Sequence, residues 1–188
     1  MVQLISQHKA TEILGEYDGH IRTVAKRYNV PSAIIKAILF QEMTTIDAMD
    51  PIADLAVLIG PHFKQDSSTG YAQIFGYVGI NAINFAVDRG LATYESLGIA
   101  SDHRLDPSNQ DDVRTVWLKL HGDQKANIEI ATLNIMAAAD QMTGRVDFTS
   151  YSDDELKLVF TRYNADVKHV TPYGEQVFEL YKSFSEEA

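Results

Sequence analysis

Glu42 is the residue of this sequence best suited to acid–base chemistry, because it lies inside the apolar run at residues 38–44 (ILFQEMT). The spacing of the apolar residues predicts a helix over residues 31–43. At 100° per residue, Glu42 lies about 20° from Ile35 and about 40° from Ile38 around that helix, so it continues the apolar face. Burial and the negative end of the helix dipole both raise the pKa of a carboxyl group, as a general acid at neutral pH requires. The alternative is a frayed helix end, at which Glu42 only borders the core.

A second candidate segment is the polar turn at residues 66–75 (DSSTGYAQIF), which runs directly into an apolar helix start. Such a turn can offer backbone N–H groups and small hydroxyl groups to a ligand in a cleft. From the residues alone, an ordinary loop in which Ser or Thr caps the following helix is the stronger interpretation.

A third candidate segment is FTRYNAD, at residues 160–166, where a capped helix ends. Its Tyr163 and Asn164 could hydrogen-bond a sugar or hold a carboxyl group in place. The alternative is a helix end at which Asn164 adopts the left-handed conformation, a common use of asparagine.

The elements that must position these residues are helices, because apolar residues recur mainly with helical spacing. A capping box at residues 152–155 and Thr171 followed by Pro172 indicate two further helix starts. A first helix is expected to end near residues 18–19, and a second one to follow over residues 21–28. The remaining helices are predicted near residues 52–59, 74–87, 114–120 and 126–142. The predicted fold class is therefore mainly α, in a single domain.

Composition excludes several classes of function. The 188 residues include 26 acidic and 16 basic side chains and no cysteine, which gives a net charge of −10. Without a basic run, we expect no nucleic-acid partner. The sequence also contains no apolar stretch long enough for a membrane span and no recognisable signal peptide. We predict no metal and no cofactor, because there is no phosphate-binding loop and the six histidines are scattered rather than at ligand spacing.

Four segments, taken in order, resemble the motifs of the lysozyme-like lytic transglycosylases, a family related to goose-type lysozyme. ILFQEMT is similar to the apolar run followed by Gln-Glu-Ser that carries the family's catalytic glutamate. SSTGYAQI, at residues 67–74, resembles the motif Ser-x-x-Gly-Leu-Met-Gln-Ile. Asn127-Ile128 resembles a family Asn-Ile/Val segment, and RYNAD at residues 162–166 resembles Ala-Tyr-Asn-Ala-Gly. The resemblance covers about residues 20–184.

This resemblance implies a lysozyme-like helical domain with a substrate cleft at residues 20–188, preceded by an N-terminal helical extension at residues 1–19. It also implies a partner, the glycan strands of peptidoglycan, and the cell wall as the place of action. The scissile bond would be the β-1,4 bond between N-acetylmuramic acid and N-acetylglucosamine.

The resemblance further implies roles for individual residues. Glu42 would protonate the glycosidic oxygen. In a transglycosylase it would then take the proton of the sugar's own C6 hydroxyl, which gives a 1,6-anhydro product. A hydrolase would need a second carboxylate across the cleft to position water. Asp66 is the best-placed candidate for that role, and Asp50 and Asp54 are others. The residues expected to bind substrate or shape the cleft are Ser67, Gly70, Gln73, Tyr163 and Asn164.

The sequence also departs from the family pattern. Tyr71-Ala72 replaces the family's Leu-Met, and Arg162 and Asp166 replace its alanine and final glycine. The segment from Glu42 to Gly70 is longer than in typical members. Together with the net charge, these changes keep open a second hypothesis, a lysozyme-like module that binds glycan or serves in assembly without cleaving it.

Overall fold

The structure, a computed structural model, describes residues 5–46, 50–59 and 66–186, with only the backbone described for residues 50–52. This part of the chain is mainly α-helical, as predicted. No helix in it is long and apolar enough to cross a bilayer. The described residues form eight α-helices, namely α1 (Gln7–Tyr28), α2 (Ser32–Thr45), α3 (Asp50–Ile59), α4 (Gly76–Asp88), α5 (Gln110–Gly122), α6 (Gln124–Thr143), α7 (Asp153–Asn164) and α8 (Pro172–Glu186).

Helix α1 is continuous, so the predicted helix end near residues 18–19 is wrong. A glycine in a helix costs about 1 kcal/mol relative to alanine. Two interactions offset that cost at Gly19. The apolar face continues on both sides of it, with Leu14 and Ile21 both buried. In addition, Asp18 forms ion pairs with Arg22 on α1 and with a lysine on α2.

Helix α2 carries Glu42 in its last turn and is apolar on nearly all sides. It packs against α1, α6 and α8, which explains why so many of its residues are buried. Ile35 and Ile38 are fully buried on the predicted face, and Glu42 is only 8% exposed. The prediction that Glu42 continues the apolar face is therefore confirmed.

Helix α6 lies at the centre of the packing and contacts α1, α2, α4, α5 and α7. Its side chains are mostly small or aliphatic, and a run of three alanines at residues 137–139 is buried. Small side chains allow neighbouring helices to approach closely. The helix ends at Gly144, whose positive φ of 72° closes it, as the sequence predicted.

Helices α7 and α8 form a pair that brings the end of the chain back to α2. The predicted capping box of Ser152 and Glu155 starts α7, and α8 begins at Pro172. A Cβ atom at Gly174 would lie 2.5 Å from the backbone oxygen of Lys157, so only glycine allows α8 to pack this closely on α7. This close packing positions the first turn of α8 beside Glu42.

Polar contacts attach helix α3 to the rest of the molecule at two places, at Asp54 and near its C-terminal end. Asp54 accepts hydrogen bonds from the hydroxyls of Ser67 and Thr69. Arg114 of α5 donates to the backbone oxygens of Val57 and Leu58 near the end of α3. These polar contacts hold α3 against α5 and the turn at residues 66–75.

Candidate active site

Glu42 is buried between α2, α8 and the turn at residues 66–75. Tyr173, in the first turn of α8, donates a hydrogen bond from its hydroxyl to Oε1 of Glu42. Burial raises the pKa of Glu42 from its ordinary value of 4.5 to about 7, and the hydrogen bond from Tyr173 lowers it by a smaller amount. Glu42 is therefore a carboxyl group that both holds and releases a proton near neutral pH, as the sequence predicted.

Two tyrosines form the wall behind this carboxyl group. The hydroxyl of Tyr163, at the end of α7, donates to the backbone oxygen of Ala72 at 2.9 Å. Burial raises the pKa of both Tyr163 and Tyr173 well above 10, and the negative charge of Glu42 raises it further. Both hydroxyls therefore stay neutral at working pH and can only donate or accept hydrogen bonds.

Sequence reasoning did not find Tyr173. The signal for it was present, because Tyr173 lies four residues before Val177, an apolar residue that is buried on α8. Extending that face backwards by one turn reaches the tyrosine.

Gln73 reaches the same pocket from the turn at residues 66–75. An antiparallel bridge joins Thr69 and Ile74 through two backbone hydrogen bonds of 3.1 Å. Between them, Gln73 has a positive φ of 46°, which is uncommon for a residue with a side chain. Its side chain is held on both sides, since Nε2 donates to the oxygen of Gly70 and Oε1 accepts from the hydroxyl of Ser68. The turn is thus a rigid support for one amide group beside Glu42.

Asn127 of α6 fastens this turn to the body of the protein. Its Oδ1 accepts from the backbone N–H of Ala72 at 2.9 Å, and its Nδ2 donates to the backbone oxygen of Thr69 at 3.1 Å. Gly70 has a φ of 72°, and a Cβ atom there would lie 2.1 Å from Nδ2 of Asn127. In this structure, Gly70 therefore allows the close contact between turn and helix.

Asp66 and Ser67 are not among the described residues that line the pockets around Glu42. The two carboxylate oxygens of Asp66 accept hydrogen bonds from the backbone N–H groups of Gly76 and Tyr77 at the start of α4, at 2.8 and 3.1 Å. A carboxylate at a helix N-terminus is stabilised there by the helix dipole. Ser67 is 2% exposed and donates to Asp54 at 2.7 Å. The predicted cap of α4 by Ser or Thr is thus made by Asp66 instead.

Asp54 is not among the described residues that line the pockets beside Glu42. Asp54 is bound to the turn through Ser67 and Thr69. The side chain of Asp50 lies outside the described part of the chain.

Two small pockets flank Glu42, one of about 130 Å³ and one of about 230 Å³. Gln73 and Asn164 line both of them, and Tyr163 lines the smaller one. Four predicted site residues, Glu42 included, are thus brought together. Asn164 is the last residue of α7 and does not have a positive φ, so the alternative of a left-handed turn at this residue is wrong.

A larger groove of about 1040 Å³ continues from the smaller pocket and shares Tyr163, Asn164 and Asn134 with it. Its volume is at the upper end of the range for ligand sites. Two ion pairs lie along the groove, Arg104 with Asp88 at 2.5 Å and Arg162 with Asp166 at 3.6 Å. Side-chain amides and aromatic rings make up much of the remaining lining, namely Asn81, Asn84, Asn134, Gln141, Tyr77 and Phe85.

Comparison of the chain with protein-family models, curated proteins and solved structures finds no match. The likeness to the lytic transglycosylases therefore remains an interpretation of four sequence motifs. Any function must be argued from the site itself. Within residues 5–46, 50–59 and 66–186, no group of three His, Asp or Glu side chains is arranged to hold a metal ion.

Replacing Tyr173 with phenylalanine should raise the pKa of Glu42 further. The substitution removes the hydrogen bond that lowers this pKa and leaves the burial that raises it. A hydrogen bond to a charged group is worth roughly 0.5 to 2 kcal/mol more than one to a neutral group, so the expected increase is roughly 0.5 to 1.5 pH units. A ¹³C NMR titration of the Glu42 carboxyl carbon in both proteins would measure it, and an unchanged or lower pKa would contradict the assignment of the hydrogen bond.

Proposed function

We propose that this protein is a peptidoglycan-cleaving enzyme of lysozyme-like fold that acts on the β-1,4 bond between N-acetylmuramic acid and N-acetylglucosamine. The observation that carries the proposal is Glu42, a buried carboxyl group with a pKa of about 7 in a small pocket that adjoins a larger groove. Glycosidases use a carboxylic acid with a raised pKa to protonate the leaving oxygen. The four motifs in family order, the first of which contains Glu42, support the same proposal.

The groove suits a sugar chain. Amide side chains such as Asn134 and Gln141 can exchange hydrogen bonds with hydroxyl and acetamido groups. Tyr77 and Phe85 offer apolar ring surfaces to the faces of sugar rings. The groove reaches Glu42 through the smaller pocket, so a bound glycan strand would present one of its bonds to the carboxyl group.

Cleavage by Glu42 alone needs two proton transfers. Glu42 first gives its proton to the glycosidic oxygen as the bond to the anomeric carbon breaks. The resulting carboxylate then takes the proton of the C6 hydroxyl, whose oxygen closes onto the anomeric carbon as a 1,6-anhydro ring. No water is consumed, and the glutamate ends protonated for the next cycle.

The hydrogen bond from Tyr173 and the apolar surroundings prepare Glu42 for these steps. Because Oε1 accepts the hydrogen bond from Tyr173, Oε2 is left as the oxygen that carries the transferable proton. The same hydrogen bond stabilises the carboxylate that forms after the first transfer. Before that transfer, the apolar surroundings favour the protonated form of Glu42. The two effects together bring the pKa of Glu42 near neutrality.

We favour the transglycosylase reaction over hydrolysis because the described contacts give Asp66 a different task. Both of its oxygens accept backbone N–H groups of α4. Asp66 is also not among the described residues that line the pockets beside Glu42, where a carboxylate that positions water would have to lie. The intramolecular reaction needs no second carboxylate.

The products of the wild-type protein test the proposal. We expect release of soluble fragments from purified peptidoglycan, with 1,6-anhydromuramic ends in their mass spectra. Fragments with reducing ends, which are heavier by one water, would show that the reaction is hydrolysis and not transglycosylation. Binding of peptidoglycan without any release would favour the non-catalytic module.

A further inference from the structure

Asp54 of α3 is the acceptor at the centre of a buried hydrogen-bond network behind the turn at residues 66–75. Its Oδ1 accepts from the hydroxyl of Ser67 at 2.7 Å, and its Oδ2 accepts from the hydroxyl of Thr69 at 2.9 Å. Ser67 and Thr69 are 2% and 0% exposed, and buried hydroxyls of this kind need an acceptor, which Asp54 supplies.

Two stacked aromatic rings of α5 continue the network. Nε1 of Trp117 donates to the backbone oxygen of Ser67 at 3.0 Å and to its hydroxyl oxygen at 3.2 Å. Nδ1 of His121 lies 2.8 Å from the hydroxyl oxygen of Thr69. The ring centroids of Trp117 and His121 are 4.7 Å apart, with an angle of 12° between the planes.

The directions of these hydrogen bonds follow from proton counting. Each hydroxyl has one proton, and it goes to Asp54, since an ionised carboxylate can only accept. Each hydroxyl oxygen then accepts from a ring, which assigns a proton to Nδ1 of His121. Asp54 thus ends two parallel chains, each running from a ring N–H through a hydroxyl to one carboxylate oxygen.

We infer that Asp54 is a positioning residue for the cleavage reaction, an inference that rests on the proposed function. The backbone of Thr69 pairs with that of Ile74 and so closes the turn in which Gln73 has its positive φ. Gln73 lines both pockets beside Glu42. By holding the hydroxyls of Ser67 and Thr69, Asp54 fixes the turn and therefore the amide group that faces the reacting bond.

The chain contains a single tryptophan, so one indole N–H resonance reports directly on this network. In Asp54→Ala, we expect that resonance to shift and the hydrogen exchange of the Thr69 and Ile74 amides to accelerate at least tenfold. Glu129→Ala is the matched control, since it removes a mostly buried carboxylate that accepts a hydrogen bond from Tyr28 and lies away from the groove. Glu129→Ala should leave the position of the indole resonance unchanged and the exchange rates of the Thr69 and Ile74 amides within twofold of wild type.

The positioning role itself is tested with soluble peptidoglycan strands as substrate. Asp54→Ala should lower kcat at least tenfold and change KM less than threefold, because small misplacements of a positioned group act mainly on the chemical step. If this variant does not fold, Thr69→Val removes one of the two chains with little change in volume. Thr69→Ser restores the hydroxyl and should recover kcat to within threefold of wild type.

The outcomes separate the two ideas. A wild-type protein that releases no fragments overturns the proposed function and, with it, a role for Asp54 in that reaction. If the wild type is active, the positioning role alone is overturned when Asp54→Ala, or Thr69→Val where Asp54→Ala does not fold, keeps kcat within twofold of wild type.

Discussion

Glu42→Gln is expected to lower the release of soluble fragments from purified peptidoglycan by at least about 100-fold, because general acid–base catalysis contributes roughly 10²–10⁴-fold in enzymes. Glutamine has the shape of protonated glutamate, and its oxygen can still accept the hydrogen bond of Tyr173. The pocket should therefore keep its form and lose only the transferable proton. Fragment release at equal protein concentration, measured by mass spectrometry, would give the ratio of the two rates.

Glu129→Gln is the matched control for this experiment. Glu129 is also largely buried, and it accepts a hydrogen bond from the hydroxyl of Tyr28 at 2.7 Å. The same substitution there changes the same kind of contact without touching the groove, so release should stay within about twofold of wild type. Activity of Glu42→Gln near the wild-type level would remove Glu42 from the mechanism, whereas equal loss in both variants would point to a general loss of structure.

A binding measurement separates catalysis from recognition. Because the substitution leaves the lining of the groove unchanged, Glu42→Gln should still sediment with insoluble peptidoglycan. Retained binding with lost release assigns the glutamate to the chemical step.

Sequence periodicity was sufficient for the parts of the site that depend on one helix. The position of Glu42 followed from the apolar residues of α2, and the starts of α7 and α8 followed from their capping residues. Such features are determined by residues within one or two turns.

The contacts between elements could not be predicted in the same way. Nothing in the residues around Asp66 or Ser67 states that one carboxylate caps α4 and that one hydroxyl turns towards Asp54. The continuity of α1 through Gly19 likewise depends on its packing against α2 and α6 and on the ion pair of Asp18 with α2. Each of these features depends on the packing of separate elements, which local periodicity does not encode.

The buried acid should also change the stability of the protein with pH. In the folded state the pKa of Glu42 is about 7, compared with an ordinary value of 4.5. The folded state therefore binds this proton more tightly than the unfolded state does. The stabilisation from the bound proton is fully present below about pH 4.5 and is lost as pH rises through 7. The difference in pKa corresponds to about 3 kcal/mol.

Glu42→Gln should remove this dependence, because glutamine does not titrate. We expect the free energy of unfolding of the variant, minus that of wild type, to increase by about 3 kcal/mol between about pH 4 and about pH 8.5. Urea unfolding of both proteins across this range measures the difference, and the other titrating groups cancel in it. A difference that stays constant with pH would mean that Glu42 has an ordinary pKa in the folded protein.

The two experiments on Glu42→Gln are linked by a common cause. The burial that makes the carboxyl group a proton donor at neutral pH also makes its ionised form unfavourable in the folded protein. The pH near 7 at which the wild type finishes losing this stability should therefore be the pH at which its fragment release begins to decline, because both follow the same proton. Release that persisted well above pH 7, in a protein whose stability had already fallen there, would mean that another group supplies the proton.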